Sequence, residues 1–520
     1  MRYALSIVAI LVICLGLVAW FHRQESGSDT GKTLTVFCAA GIKKPVETAA
    51  AAYQKELGVS VRLQYGGSAA LVSSIRVAKM GDLFVVADDG TLADARRLGL
   101  VREALPLARQ RPVIAVAKGN PKSVRALDGL LTPGVRFALA NPESASVGRI
   151  TQKALADRWE AFRAKAVVLK PTVMDIASDV SLGAVDAAVV WDSTVAQFPS
   201  LQAVDAPEFA KVEESVSAAV LAACSQPSAA LRFARYLAAP EKGATVFAQS
   251  GFRPAGGDKW AERPTLVLYS GGVNRPAIQQ TLKEFADREG ADVTTVFNGC
   301  GILCAAMRAM AKQPSAQVPD AYYACDLCFV PPVADLYPEA VVLTETDIML
   351  AVPKGNPKNI RTLADLARPG LKVGVCNAQQ STLGYMTRAM LKDSGLYDSV
   401  MKNVCSQVPT ADFLVNQLRT GSLDAAIVYI VNVNPVKEHL EAFPIKHAGA
   451  KAVQPFSVAP KSPNARLAYR LLDYLRAHRA RFEEAGFRWR GDEPAMASKD
   501  IHVPPWLQRG AEEKSESTSR

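Results

Sequence analysis

Hydrophobic positions along the chain keep two alternating rhythms. Short apolar runs at Leu34–Phe37, Leu83–Ala87, Val113–Ala117, Val135–Ala140 and Ala187–Trp191 read as buried strands. Between them the spacing turns helical. Val46, Ala49, Ala50, Tyr53 and Leu57 fall on one face of a helix that Pro45 opens and Gly58 ends. The pattern returns later in the chain with Pro276, Ile278, Leu282, Phe285 and Gly290. Strands separated by amphipathic helices predict α/β units built on mostly parallel sheets.

The rhythm is a true repeat. TLTVFCAAGIKKPVETAAAAYQKELGVSV (33–61) matches TLVLYSGGVNRPAIQQTLKEFADREGADV (265–293). The stretch beginning VAKGNPKSVRALDGLL (116) matches VPKGNPKNIRTLADLA (352), and GAVDAAVVW (183–191) matches GSLDAAIVY (421–429). A period of roughly 235 residues is far too long for a solenoid and reads as a duplicated domain. The expected division is a first domain over 32–256, a linker over 257–263 in a Gly/Pro-rich junction, and a second domain over 264–490. The polar stretch 491–520 reads as a disordered tail.

Two stretches in the repeat carry candidate chemistry, QYGGSAAL (64–71) and VFNGCGIL (296–303). In each, a β-rich run (Val59–Leu63; Val293–Val296) enters a glycine turn and then a helix. Glycine lets the backbone approach a ligand closely, and the helix start supplies free N–H groups and the positive end of a dipole. That combination suits a small anion, and in the first copy Ser68 adds a hydroxyl.

Composition narrows the options. The chain has 520 residues, 49% hydrophobic and 21% charged, with a net charge of +10. Lys and Arg are scattered, with no basic run interleaved by aromatics, so nucleic acid is not an expected partner. The first copy contains no histidine, and His439, His447 and His478 lie beyond the glycine turns of the second, so a Ser–His–Asp site lacks its base and no enzyme is expected. Near the start, the apolar run Ala4–Phe21 is long enough to span a membrane and lacks a clean small-residue cleavage site. It reads as an uncleaved anchor in preference to a removed signal, with 22–32 as a polar tether and the rest exported either way; 1–31 form this anchor or signal segment.

With the repeat laid out, each copy resembles a type II periplasmic solute-binding protein, and most closely the molybdate-binding component of ABC transporters. The stretches carrying the likeness are LTVFCAAGI, QYGGSAAL, GDLFVVAD, the strand–KGNP turn, ANPESASVG and VDAAVVW, in that order, over roughly 32–256 and 264–490. The resemblance implies two tandem α/β domains of two lobes each. It also implies a small oxyanion of the molybdate or tungstate class held in the cleft by neutral donors, and an ABC permease as partner. No cofactor is implied. By position, the family's first ligand-loop serine falls on Gly41, its second on Ser68, a backbone donor on Val147 after Ser144 and Ser146, a further backbone position near Val173, and its cleft tyrosine on Trp191. In the second copy the same places read Gly272, Cys300, Leu383 after Ser381 and Thr382, about Ala411, and Tyr429. The first copy therefore departs from the pattern at Gly41 and Trp191, losing two hydroxyls.

Other readings compete at several positions. Ser144 and Ser146 also suit ordinary N-capping of the helix that follows. Asp82 and Asp320 suit a turn or cap, and Trp191 and Tyr429 suit half-buried strand aromatics. The second copy holds six of the nine cysteines. They read as structural disulfides, as buried apolar residues, or as a soft-metal or redox centre at Cys300, Cys304, Cys325 and Cys328. The expected function is capture of a small oxyanion for an ABC transporter. The alternative is a cysteine-based metal or redox module in the second copy, with the protein acting as a sensor or scaffold.

Overall fold

The computed structural model describes residues 33–313 and 316–503. The expected anchor Ala4–Phe21 and its tether lie outside them. No helix among the described residues is long and apolar enough to cross a membrane. The chain divides into two compact units at Trp260 and Ala261.

The first unit is built from two sheets. One has the strand order Arg253–Pro254, Val101–Gln110, Glu214–Leu221, Leu83–Val86, Thr33–Ala39, Ser60–Gly66. The other runs Val168–Lys170, Phe137–Ala140, Ala187–Trp191, Pro112–Ala117, Leu201–Val204. Each sheet carries helices and defines a lobe, and the chain crosses between lobes twice, from Gln110 to Pro112 and from Val204 to Glu214. The crossing segments bring antiparallel pairs with them: Glu214–Leu221 runs against both Leu83–Val86 and Val101–Gln110, and Pro112–Ala117 runs against Ala187–Trp191. The sheets are therefore mixed rather than mostly parallel, because a strand that returns from the other lobe enters head-down.

The apolar runs fill the cores as their pattern requires. Leu83, Phe84, Val85 and Val86 are all fully buried, the mark of a strand covered on both faces. On helix Lys43–Leu57 the buried residues are Pro45, Val46, Ala49, Ala50 and Tyr53, and Gly58 ends it with φ 72°. Asp82 and Asp320 serve as backbone braces: Asp82 accepts the Thr35 N–H at 2.8 Å, and Asp320 accepts the Val267 N–H at 2.6 Å.

The second unit repeats this plan with one difference. Its crossover is a single strand, Glu339–Pro353, that pairs with strands of both lobes, so its main sheets join along it. The segment expected as a tail also contributes here. Met496–Ala497 pairs with Glu339 and Ala340, the Ser498 N–H reaches the Pro338 carbonyl at 2.8 Å, and Ile501 and Val503 pack on the core. Polar composition hid a few apolar anchors spaced to meet the first two residues of that strand, ahead of its pairing with Lys451–Val458. Truncating the chain after Arg490 should lower the melting temperature of the second unit by a few degrees, corresponding to about 1–3 kcal/mol, and leave the first unit's transition in place. Differential scanning calorimetry of the full and shortened chains reads both.

Candidate functional site

The lobes of the first unit meet around a cavity of about 20 Å³. Its wall comes from both lobes: Ala39, Ala40, Gly41, Gly66, Gly67, Ser68 and Ala87 from the first, and Ala145, Ser146, Val147, Thr172, Val173 and Trp191 from the second. None of these side chains carries a charge. Four helical starts point at this space. They are the 3-10 turn Ala40–Ile42 leading into Lys43–Leu57, then Ser68–Ala78, Ser146–Leu155 and Val173–Ser181.

Each start places unsatisfied donors where the strand before it ends. The turn at Gly66–Gly67 follows strand Ser60–Gly66, and Ser68 is the first residue of its helix. Ser68 is 2% exposed, and among the described residues neither its N–H nor its hydroxyl has an acceptor. Opposite it, helix Ser146–Leu155 begins without a side-chain cap, which leaves the Ser146 and Val147 N–H groups without protein acceptors. Thr172 caps the last of the four starts, accepting the Asp175 N–H at 3.2 Å. Helix dipoles add to these donors, so the cavity is electropositive without any cation.

Contacts between the lobes fix the geometry. The Ala69 N–H donates to the Ser144 carbonyl at 3.1 Å. A Cβ on Gly67 would overlap that same carbonyl oxygen and stand 2.8 Å from the Pro171 carbonyl oxygen. Beside the cavity, buried Asp88 caps helix Asp89–Arg97 by accepting the Thr91 N–H at 2.7 Å. Its carboxylate reaches across to the other lobe, pairing with Arg149 at 2.6 Å and accepting the Ser146 hydroxyl. Arg149 also holds Asp94 at 3.0 Å. This carboxylate is spent on the interlobe pair and is not part of the cavity wall.

The structure sorts the expected residues. Gly41, Ser68, Val147, Val173 and Trp191 line the cavity, with Trp191 a buried wall rather than a half-buried strand residue. Ser146 lines it through its backbone, since its hydroxyl is taken by Asp88. Ser144 is a correction. Its hydroxyl donates to the Asn141 and Pro171 carbonyls at 3.3 and 3.1 Å, and neither Ser144 nor Ser146 acts as the N-cap. Thr172, Ala87 and Asp88 went unsuggested, although the spacing of Thr172 and Asp175 is a capping signature.

The second unit keeps the scaffold and changes the contents. Its 3-10 turn Gly272–Asn274 matches Ala40–Ile42, so the counterpart of Gly41 is Val273 and not Gly272. The one-residue slip came from aligning glycine to glycine where the turn itself sets the register. Helices Cys300–Met310, Thr382–Asp393 and Ala411–Arg419 begin at the places of Ser68, Ser146 and Val173. Ser381 is thus the residue before the helix, matching Ala145, while Thr382 and Leu383 match Ser146 and Val147. Tyr429 takes the place of Trp191 with its hydroxyl buried and unpartnered, as is that of Thr382.

Two sulfurs stand where the first unit has its cavity wall. Cys300 replaces Ser68, and Cys325, in the stretch PDAYYACD that matches GDLFVVAD, replaces Ala87. The Cys325 N–H donates to the Cys300 sulfur at 3.1 Å. The Val273 N–H is directed at the Cys325 sulfur. Burial acts to raise the Cys300 thiol, but the polar groups of Cys325, Thr382 and Tyr322 beside it outweigh burial and bring Cys300 below the ordinary thiol range. Cys325 is held well above that range, first by its hydrogen bond to Cys300 and then by burial. The four-cysteine metal set is not assembled. Cys304 faces the Phe329 carbonyl at 3.3 Å, and Cys328 turns to the Asp326 carboxylate. Among the described residues no group of three or more His, Cys, Asp or Glu is placed to hold a metal ion. No disulfide joins the described cysteines.

Two lobes closing on a small, donor-lined space define a two-lobed solute-binding domain, here present twice. The chain belongs to the family of bacterial extracellular solute-binding proteins, whose family model matches residues 34–253 and again 266–488. Over 249 residues it is 27% identical to the molybdate-binding protein ModA of Mycobacterium tuberculosis (strain H37Rv), covering 46% of this chain and 94% of that protein. Over 225 residues it is 25% identical to a protein of Haemophilus influenzae named as a binding protein, covering 43% of this chain and 91% of that one. Among solved structures, the periplasmic molybdate-binding protein of Azotobacter vinelandii matches 42% of this chain and 98% of its own, at 17% identity and a TM-score of 0.37. The family places the folded part of the chain outside the cytoplasm.

The Gly67 contact gives a clean test of lobe closure. Gly67 has φ −67° and ψ 144°, a conformation any residue adopts, so Gly67→Ala adds no backbone strain. The methyl group meets two carbonyl oxygens of the other lobe and nothing in its own. Gly67→Ala should fold with little change in melting temperature, while small-angle scattering of the ligand-saturated protein shows a first unit that no longer closes.

Proposed function

We propose that the first unit captures a small, fully ionised oxyanion of the molybdate or tungstate class and presents it to an ABC permease in the membrane. The carrying observation is the cavity shared by two lobes, walled by neutral groups and faced by four helical starts. Hydrogen bonds to an ion are stronger than those between neutral groups, so several of them hold a dianion without a counter-cation. The Ser68 hydroxyl and N–H, with the N–H groups at Gly41, Ser146, Val147 and Val173, are the donors of this reading. The cavity offers donors and no carboxylate, so an oxyanion that keeps a proton at neutral pH brings a hydrogen with nowhere to go. That argues for molybdate, tungstate or sulfate over phosphate. The likeness to a molybdate-binding relative supports the first.

The role is non-catalytic in this reading, because the wall holds no base to activate Ser68. Binding at the junction favours the closed arrangement, and closure forms the surface that a permease recognises. The apolar run Ala4–Phe21 would tether the unit beside that permease.

Thermal shift and titration calorimetry on the whole protein, with molybdate, tungstate, sulfate and phosphate, test the proposal. One tight site per chain is expected for molybdate or tungstate, with stabilisation of the first unit by about 2.7 kcal/mol at a hundredfold excess over Kd. No stabilisation by any of the four would overturn it. A second measurement bears on the residues. Ser68→Ala removes one hydrogen bond to an ion and should raise Kd by about 10- to 100-fold with the melting temperature of the unliganded protein nearly unchanged.

A further inference from the structure

The second unit has built donors around a space and then filled that space from within. The place on Gly271 where a Cβ would stand is overlapped by the Cys325 sulfur and lies 3.2 Å from the Cys300 sulfur. The two sulfurs therefore crowd one point at the mouth of helix Cys300–Met310. The Cys325 and Val273 N–H groups are directed at them, and the buried, unpartnered hydroxyls of Thr382 and Tyr429 face the same region. Of these, the Val273 N–H stands where the Gly41 N–H faces the cavity of the first unit. Donors of that kind stabilise negative charge, and the groups they meet here are a thiol pair able to carry it.

Three uses of such a pair compete. A four-coordinate metal needs more donors than the described residues bring together. Inert buried thiols need no converging donors and no glycine kept free of a side chain to make room for sulfur. A thiol pair in contact, with one member stabilised as thiolate and the other holding the proton, is the arrangement of an attacking and a resolving cysteine.

We propose that Cys300 and Cys325 form a reactive dithiol, exchanging with small or protein disulfides of the extracytoplasmic space when the lobes of the second unit part. The Cys300 thiolate attacks a disulfide RSSR, forming a mixed disulfide with one sulfur and releasing the other as RS⁻. The RS⁻ takes the proton of Cys325, whose thiolate attacks the Cys300 sulfur and expels the second RS⁻. In sum, two cysteine thiols and RSSR give one Cys300–Cys325 disulfide and two RSH: the cysteine pair loses two electrons and RSSR gains them. Cys300 is fully buried and Cys325 is 5% exposed, so the exchange reports on opening of this cleft. The second unit thereby senses disulfides where the first captures a solute, and the two sites are chemically independent.

The test uses the full-length protein equilibrated with graded ratios of reduced to oxidised glutathione, quenched in acid and mapped by differential alkylation and mass spectrometry. The expected result is a Cys300–Cys325 link that forms and disappears reversibly across the series, with two alkylatable thiols lost and regained. Exposed Cys405 serves as the internal reference for labelling. Cys325→Ala should trap glutathione on Cys300, and Cys300→Ser should abolish both products. Both variants place in the second unit the residue the first unit already carries there, Ala87 and Ser68, and the wild-type map stands without them. Thiols that stay alkylatable at every ratio, a link that survives full reduction, or a link to another cysteine would each overturn the proposal.

Discussion

A helix that begins inside a protein leaves N–H groups that must meet something, and much of this architecture answers that demand. In the first unit, four such starts are brought to one point by two sheets facing each other across the chain's crossings. Neither lobe could meet the demand alone, because two of the starts belong to each. The outward consequence is a cavity faced by donors that the described residues leave without acceptors. Ser68 shows the cost directly, with a buried hydroxyl and N–H that the protein leaves unanswered.

The glycines and the ion pair at the rim serve the same constraint. Gly67 brings its helix start so close to Ser144 and Pro171 that a single carbon would hold the lobes apart. Asp88 is a buried carboxylate beside the site, and its position next to an electropositive cavity would oppose an anion if its charge were loose. Arg149 neutralises it at 2.6 Å, and the Ser146 hydroxyl and Thr91 N–H take up further lone pairs. The pair joins the lobes and shields the cavity from the charge that joins them. Because Arg149 is about one-third exposed, solvent screens this contact, so it favours closure without locking it.

Much of this was legible in the residues. The duplication, the alternation of strands and helices and the glycine turn into a helix at QYGGSAAL follow from periodicity and turn chemistry, which depend on local sequence, while the two-lobed plan came from the resemblance carried by the order of motifs. What escaped depends on direction. The hydroxyls of Ser144 and Ser146 sit at the right helix yet turn to Pro171 and Asp88, and no spacing rule tells which way a serine faces. Gly272 was matched to Gly41 by identity, whereas the 3-10 turn sets the register at Val273. The mixed sheets come from crossings whose strands look like any other apolar run. Cys325 was visible as a cysteine in CDLC, but its importance came only from the match to Ala87, which requires the whole strand PDAYYACD to be laid on GDLFVVAD.

The two units carry one plan with different contents where their lobes meet. Replacing an oxygen with sulfur at Ser68's counterpart, and a methyl with sulfur at Ala87's, fills the space that an oxyanion would need. The groups around the two sulfurs are the Cys325 and Val273 N–H groups and neighbouring side chains, and they act on whatever stands before them. Before two thiols they favour charge on sulfur, which burial alone would suppress, as Cys376 illustrates in the other lobe of the same unit, where burial pushes the thiol up to about 12. On the proposed reading, cysteines at the places of Ser68 and Ala87, with Val273, Thr382 and Tyr429 around them, move the chemistry from binding an anion to carrying one.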